Sequence, residues 1–193
     1  MSTAEVSPLS PGVDDVWRLI SAARADLGGS PSSDDVAAAV VRLLRSWPAA
    51  DIAAFEQPFD ELVAVSYRAG LWAAAYVING GASDDGFEYF RGWLIAQGRE
   101  TFERALADPD SLATHPAVVA AAAECDGLEC EDVLAVVWQA YRDRTGGEEL
   151  PARAFTIRYP DLDPDWEFDF DDEAEMRRRL PRLMALYDEE EDT

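Results

Sequence analysis

Residues 71–98 read LWAAAYVINGGASDDGFEYFRGWLIAQG, and the way this stretch divides decides the fold. Leu71 to Ile78 are apolar and uncharged, which suits a helix buried on all sides. Asn79, Gly80 and Gly81 form a helix stop, because glycine takes the left-handed geometry that ends a helix. Ser83, Asp84 and Asp85 form a helix start. A short oxygen-bearing side chain accepts from the free N–H groups of the first turn, and acids favour its positive end. Each such cap contributes about 1 kcal/mol. The corner therefore joins two helices, and its Gly, Ser and Asp residues are explained without a ligand.

The second of these helices carries a bulky apolar face of Phe87, Phe90, Trp93 and Leu94. Arg91 lies four residues after Phe87 and three before Leu94, so its stem runs along the same face. A planar guanidinium there is well matched to carboxylates, and Glu88 and Asp84 are the candidates. Two readings stay open. One is a structural ion pair that locks the turn. The other is a pocket in which Arg91 and Asp84 or Asp85 meet a ligand. The candidate binding residues are Trp72, Tyr76, Asn79, Asp84, Asp85, Glu88, Arg91 and Trp93; no catalytic or metal-ligating set is assigned.

Upstream, residues 1–13 read as a flexible lead-in. Asp14 and Asp15 open a helix with Val16, Leu19, Ile20 and Ala23 at helical spacing, ending at Gly28 to Ser33. A second helix starts near Ser33 or Asp34 and places Val36, Val40, Leu43 and Leu44 on one face. A third begins at Asp51 and carries Phe55, Phe59, Leu62, Val63 and Ser66, with Pro58 either kinking it or opening a new turn. Gly70 breaks it. Downstream, Asp108 to Asp110 form a turn, THPAVVAAAAE is a helix capped by Thr114 with Pro116 in its first turn, and residues 130–144 form a long helix closed by TGGEELP.

After Pro151 the period changes to two. Phe155, Ile157 and Tyr159, then Trp166, Phe168 and Phe170, alternate with polar or acidic residues, which predicts extended chain in a hairpin turning at PDLDPD. A short helix from Glu173 to Tyr187, interrupted at Pro181, follows. The expectation is a mainly α, single-domain helical globule of about seven or eight helices over residues 14–151. Residues 152–193 form an acidic, partly extended C-terminal appendage.

The chemistry available is narrow. The chain has 39 acidic residues against 16 basic ones, for a net charge of -23, and every base is arginine. The absence of lysine excludes Schiff-base chemistry, pyridoxal anchoring and Walker-type phosphate binding. His115 is the sole histidine, which excludes metal sites built on two or three histidines. It should be a neutral surface residue at a helix start. Cys125 and Cys130 frame CDGLEC, and Glu129, Glu131 and Asp132 disfavour a thiolate there.

Asp161, Asp163, Asp165, Glu167, Asp169 and Asp172 imitate a calcium loop, but Trp166 stands where the loop needs glycine and Pro164 stiffens the bend. So acidic a surface repels nucleic-acid backbones and anionic lipid, and the dense bases Arg177, Arg178, Arg179 and Arg182 follow an acidic run that neutralises them. The N-terminus has neither a basic nor an apolar signal region, and the apolar run at 71–78 is too short to cross a bilayer, so a cytoplasmic protein is expected.

The block WAAAYVINGGASDDGFEYFRGWLI followed by ALADPDSL, together with DDVWRLISAAR and CEDVLAVVWQAY…TGGEELP, resembles the bacterial family catalogued as domain of unknown function 4240. The resemblance spans about residues 14–151 and brings no activity with it. On charge and chemistry, the expected function is that of a noncatalytic interaction or regulatory protein whose acidic surface, above all residues 161–175, engages a basic protein partner without a cofactor. The alternative is a small-molecule binder or enzyme built on Asp84, Asp85, Arg91, Tyr76 and Asn79. Mimicry of nucleic acid, or neutralisation of a basic toxin, shares the charge argument of the first.

Overall fold

The computed structural model describes residues 10–151, 156 and 158–188. Among these are eleven α-helices, three 3-10 turns and no strand. They are α1 (Val13–Leu27), α2 (Ser33–Leu44), α3 (Ala49–Ala54), α4 (Glu56–Val65), α5 (Ala69–Ile78), α6 (Asp84–Ala96), α7 (Arg99–Ala107), α8 (Pro116–Glu124), α9 (Val136–Thr145), α10 (Glu173–Arg179) and α11 (Pro181–Tyr187). The mainly helical expectation holds, but the helix count was low. The anticipated third helix is two, because the chain turns at Phe55 and Pro58 sits in the first turn of α4, where its missing N–H costs nothing. The C-terminal helix is interrupted before Pro181, as its sequence suggested, which gives two elements, and α7 is an element of its own.

The chain forms two compact units. The first comprises the described residues among 10–62 and 132–158. Here α1 packs on α2, and α2 and α3 pack on α9. The stripes of Val16, Ile20 and Ala23, of Val36, Val40 and Leu44, and of Val136, Val137 and Ala140 are buried, so the helical spacing read in the sequence does set the core. Ser32 accepts from the Asp35 N–H at 3.1 Å and caps α2. The helix expected over 130–144 begins later. Its first turn, Asp132–Ala135, is 3-10 and only then does α9 start.

The second unit comprises residues 63–131 and 159–188. Its centre is α5, with Leu71, Ala73, Ala74 and Ala75 fully buried. The corner after α5 is built as its sequence demands. Gly81 N–H donates to Tyr76 O at 2.8 Å, Gly80 has φ 65°, and Ser83 Oγ accepts from Gly86 N–H at 3.1 Å to open α6. Helix α8 is capped by His115 instead of Thr114: the imidazole Nδ1 accepts from Ala117 N–H at 3.3 Å, while the Thr114 hydroxyl donates to Ser111 O. Gly70 does not break a helix. It lies in the first turn of α5, where a Cβ would stand 3.1 Å from the Trp166 ring and 3.3 Å from Pro109.

That close approach belongs to the C-terminal chain, and no β-hairpin forms among the described residues. Phe155 and Ile157, in the expected first arm, lie outside them. In the second arm the alternation is real but its cause is different. Trp166, Phe168 and Phe170 are half-buried and Asp165, Glu167 and Asp169 are exposed, yet the backbone bends through a 3-10 turn at Pro164–Trp166. Asp163 accepts from Asp165 N–H, Asp169 from Asp171 N–H and Asp172 from Glu175 N–H, so the acids bond their own backbone and draw the chain into successive turns. Helices α10 and α11 follow, and α11 packs against α5, α8 and the 3-10 turn Pro109–Thr114.

Candidate functional site

Arg91 is the buried cation of the second unit, 3% exposed. Its Nη1 donates to Val63 O at 2.8 Å and its Nε to Phe87 O at 3.4 Å. The guanidinium carbon lies 4.9 Å from the Phe87 ring centroid, 5.4 Å from Tyr67 and 5.6 Å from Tyr159. No carboxylate forms an ion pair with it among the described residues. The expected ion pair is therefore corrected, for a local reason. Val63 is in the last turn of α4, whose terminal carbonyls lack helical partners and carry the negative end of the dipole. Leaning back over the preceding turn of its own helix, the side chain also reaches Phe87 O, four residues earlier. Burial pulls its pKa down, while Tyr159 and the charge of Glu88 oppose the shift.

The other sequence-predicted residues separate. Asp84 and Asp85 are exposed in the first turn of α6. Asn79 accepts from Leu128 N–H at 2.8 Å and fastens the loop before Cys130. Trp93 is buried with its ring edge-on to His115 at 5.6 Å. Trp72 stacks on Phe87 at 4.8 Å and donates its indole N–H to Ala82 O at 3.0 Å.

Of these residues, Tyr76 opens onto a hollow walled by the C-terminal chain. Its hydroxyl donates to Asp171 Oδ1 and its ring meets Phe170 edge-on at 5.7 Å. The bond to Asp171 raises the phenol pKa, with burial and the charges of Asp171 and Asp169 adding to it, so Tyr76 stays a proton donor. A cleft of about 460 Å³ surrounds this pair. Tyr76, Val77 and Gly80 form one wall, and Phe170, Asp171, Glu173, Met176, Met184 and Tyr187 form the other. Burial pushes the Tyr187 phenol up to about 12. A second hollow of about 340 Å³, lined by Trp72, Trp166, Leu162 and Pro164, meets the first at Phe170.

The far wall was missed in the sequence as a site, although its aromatic alternation was visible. What ties it down is long-range. Asp110, 4% exposed, accepts from Arg182 N–H, Leu183 N–H and Arg182 Nε at 2.8–3.1 Å, and so caps α11 from the 3-10 turn. The arginine cluster is neutralised as its sequence suggested. Arg177 pairs with Glu173 and Asp188, Arg178 and Arg179 with Glu175, and Arg182 with Asp108 and Asp110. In the first unit, burial and the charge of Asp60 raise Glu56 to about 7. Among the described residues no group of three His, Cys, Asp or Glu could hold a metal ion, and no helix is long and apolar enough to cross a membrane.

The family described as Protein of unknown function (DUF4240) matches residues 12–143. The chain belongs to this family. No curated protein and no solved structure matches it. The DUF4240 match takes in Gly70, Tyr76, Arg91 and Asp110, whereas Trp166, Phe170, Asp171 and Tyr187 fall beyond it. The cleft is thus walled on one side by the DUF4240 region and on the other by the chain that follows it.

Proposed function

We propose that the protein is a noncatalytic interaction module of the bacterial cytoplasm that engages a basic protein partner through its C-terminal chain. One observation carries this reading. At residues 161, 163, 165, 167, 169 and 171 every side chain is a carboxylate and every one is exposed, while Trp166, Phe168 and Phe170 between them turn half inward. A disordered acidic tail would pay an ordering cost on binding; this row is held by turns and stacked rings before any partner arrives. Its charge favours fast, salt-sensitive association with a cationic surface.

The test is binding of an arginine-rich peptide, at about 20 mM and about 300 mM salt, to the native chain and to a variant with Asp161, Asp163, Asp165 and Glu167 replaced by Asn or Gln. Four removed charges should weaken binding at low salt by about tenfold or more and flatten its salt dependence. Equal binding by both proteins would reject the proposal.

A further inference from the structure

We propose that the cleft between α5 and the C-terminal chain binds a small organic cation, an ammonium or guanidinium group on an apolar body. This goes beyond the partner reading and does not depend on it. The volume, about 460 Å³, falls within the range of about 300–1,000 Å³ usual for ligand pockets. Three aromatic side chains, Tyr76, Phe170 and Tyr187, line it with the thioether of Met184, and the charged groups in the lining are the carboxylates of Asp171 and Glu173. No basic side chain lines it.

The two carboxylates are not equivalent. Glu173 is already paired with Arg177. Asp171 has Tyr76 as its hydrogen-bond donor and no cationic partner among the described residues. The Tyr76 bond also fixes where that charge sits, which removes part of the ordering cost of binding.

A second observation shows what this chemistry accepts. In the same alternating chain, the Arg179 guanidinium lies 4.7 Å from the Trp166 ring centroid and 4.9 Å from Phe168, and it pairs with Glu175 at 3.2 Å. Ring faces plus one carboxylate hold a cation there. Phe170 is the next ring in the series and Asp171 the carboxylate beside it, yet no cation of the described chain stands over Phe170. The cleft repeats the Arg179 seat with its cation left to be supplied from solution. An anion would meet only like charge, and a neutral apolar molecule would gain nothing from the charge of Asp171.

Titration calorimetry with phenethylammonium and its neutral counterpart 2-phenylethanol tests this. The native protein should bind the ammonium at least about tenfold more tightly than the alcohol. Asp171→Asn keeps an acceptor for Tyr76 and should erase that preference while leaving the alcohol's weak binding in place, which a mere folding defect cannot do. Phe170→Leu keeps apolar volume and removes a ring face, and should weaken the ammonium by several-fold even if Asp171→Asn fails to fold. Equal binding of the two probes, a preference that survives both variants, or binding of only an arginine-rich peptide and never the free cation would each overturn the proposal. Because the peptide test and the amine test use different variants, either reading can fail alone.

Discussion

Arg91 shows how a buried charge is seated without an opposite charge. A guanidinium is planar and weakly hydrated, so two carbonyl oxygens and three ring faces satisfy much of what water gave it. An ammonium at the same place is more strongly hydrated and reaches fewer of those partners. Arg91→Lys should therefore lower stability by about 2 kcal/mol, and by more than Arg91→Met, which removes the charge and keeps apolar volume. Urea unfolding of the three proteins checks the order. If lysine is tolerated as well as arginine, the ring-and-carbonyl seat is not what holds the side chain. The sequence made Arg91's burial legible, because residues three and four apart share a helix face. It did not reveal the partner, because Val63 is 28 residues away and a main-chain carbonyl has no residue signature.

At the scale of elements, short-range chemistry was readable and long-range docking was not. The start of α2 and the Gly–Gly/Ser–Asp–Asp corner are fixed by residues within one turn, and they form where expected. The segment 166–171 misled because alternation of burial, period two, was equated with a strand. Asx-type turns with a 3-10 step give the same alternation without a ladder. Helix α11 makes the complementary point, since its cap comes from Asp110, 72 residues earlier. Asp110→Ala leaves the N–H groups of Arg182 and Leu183 without their acceptor and should cost about 2–3 kcal/mol. Asp110→Asn should recover part of it. Hydrogen exchange at the α11 amides reads the effect directly, and unchanged protection in Asp110→Ala would mean that the helix is held by packing alone.

At the scale of the whole molecule, the family match ends at residue 143 while the second unit takes in described residues from 159 onward. Met176, Leu180 and Leu183 are each at most 1% exposed, and Trp166 fills the notch left open by Gly70. Burying three such side chains contributes about 2 kcal/mol each, together about 6 kcal/mol, which is comparable with the net stability of an ordinary domain. The C-terminal chain is therefore part of the core as well as the bearer of the acidic row, and the net charge of -23 over the whole sequence sharpens the consequence: a chain that repels itself has little reserve. A chain ending at residue 158 should lose exchange protection throughout α5 to α8 and bind a hydrophobic dye, and salt should restore some compactness by screening without restoring protection. If α5 to α8 instead keep native protection in that shortened chain, the apolar residues of α10 and α11 are dispensable cover, and the α5 wall of the cleft folds without the wall opposite it.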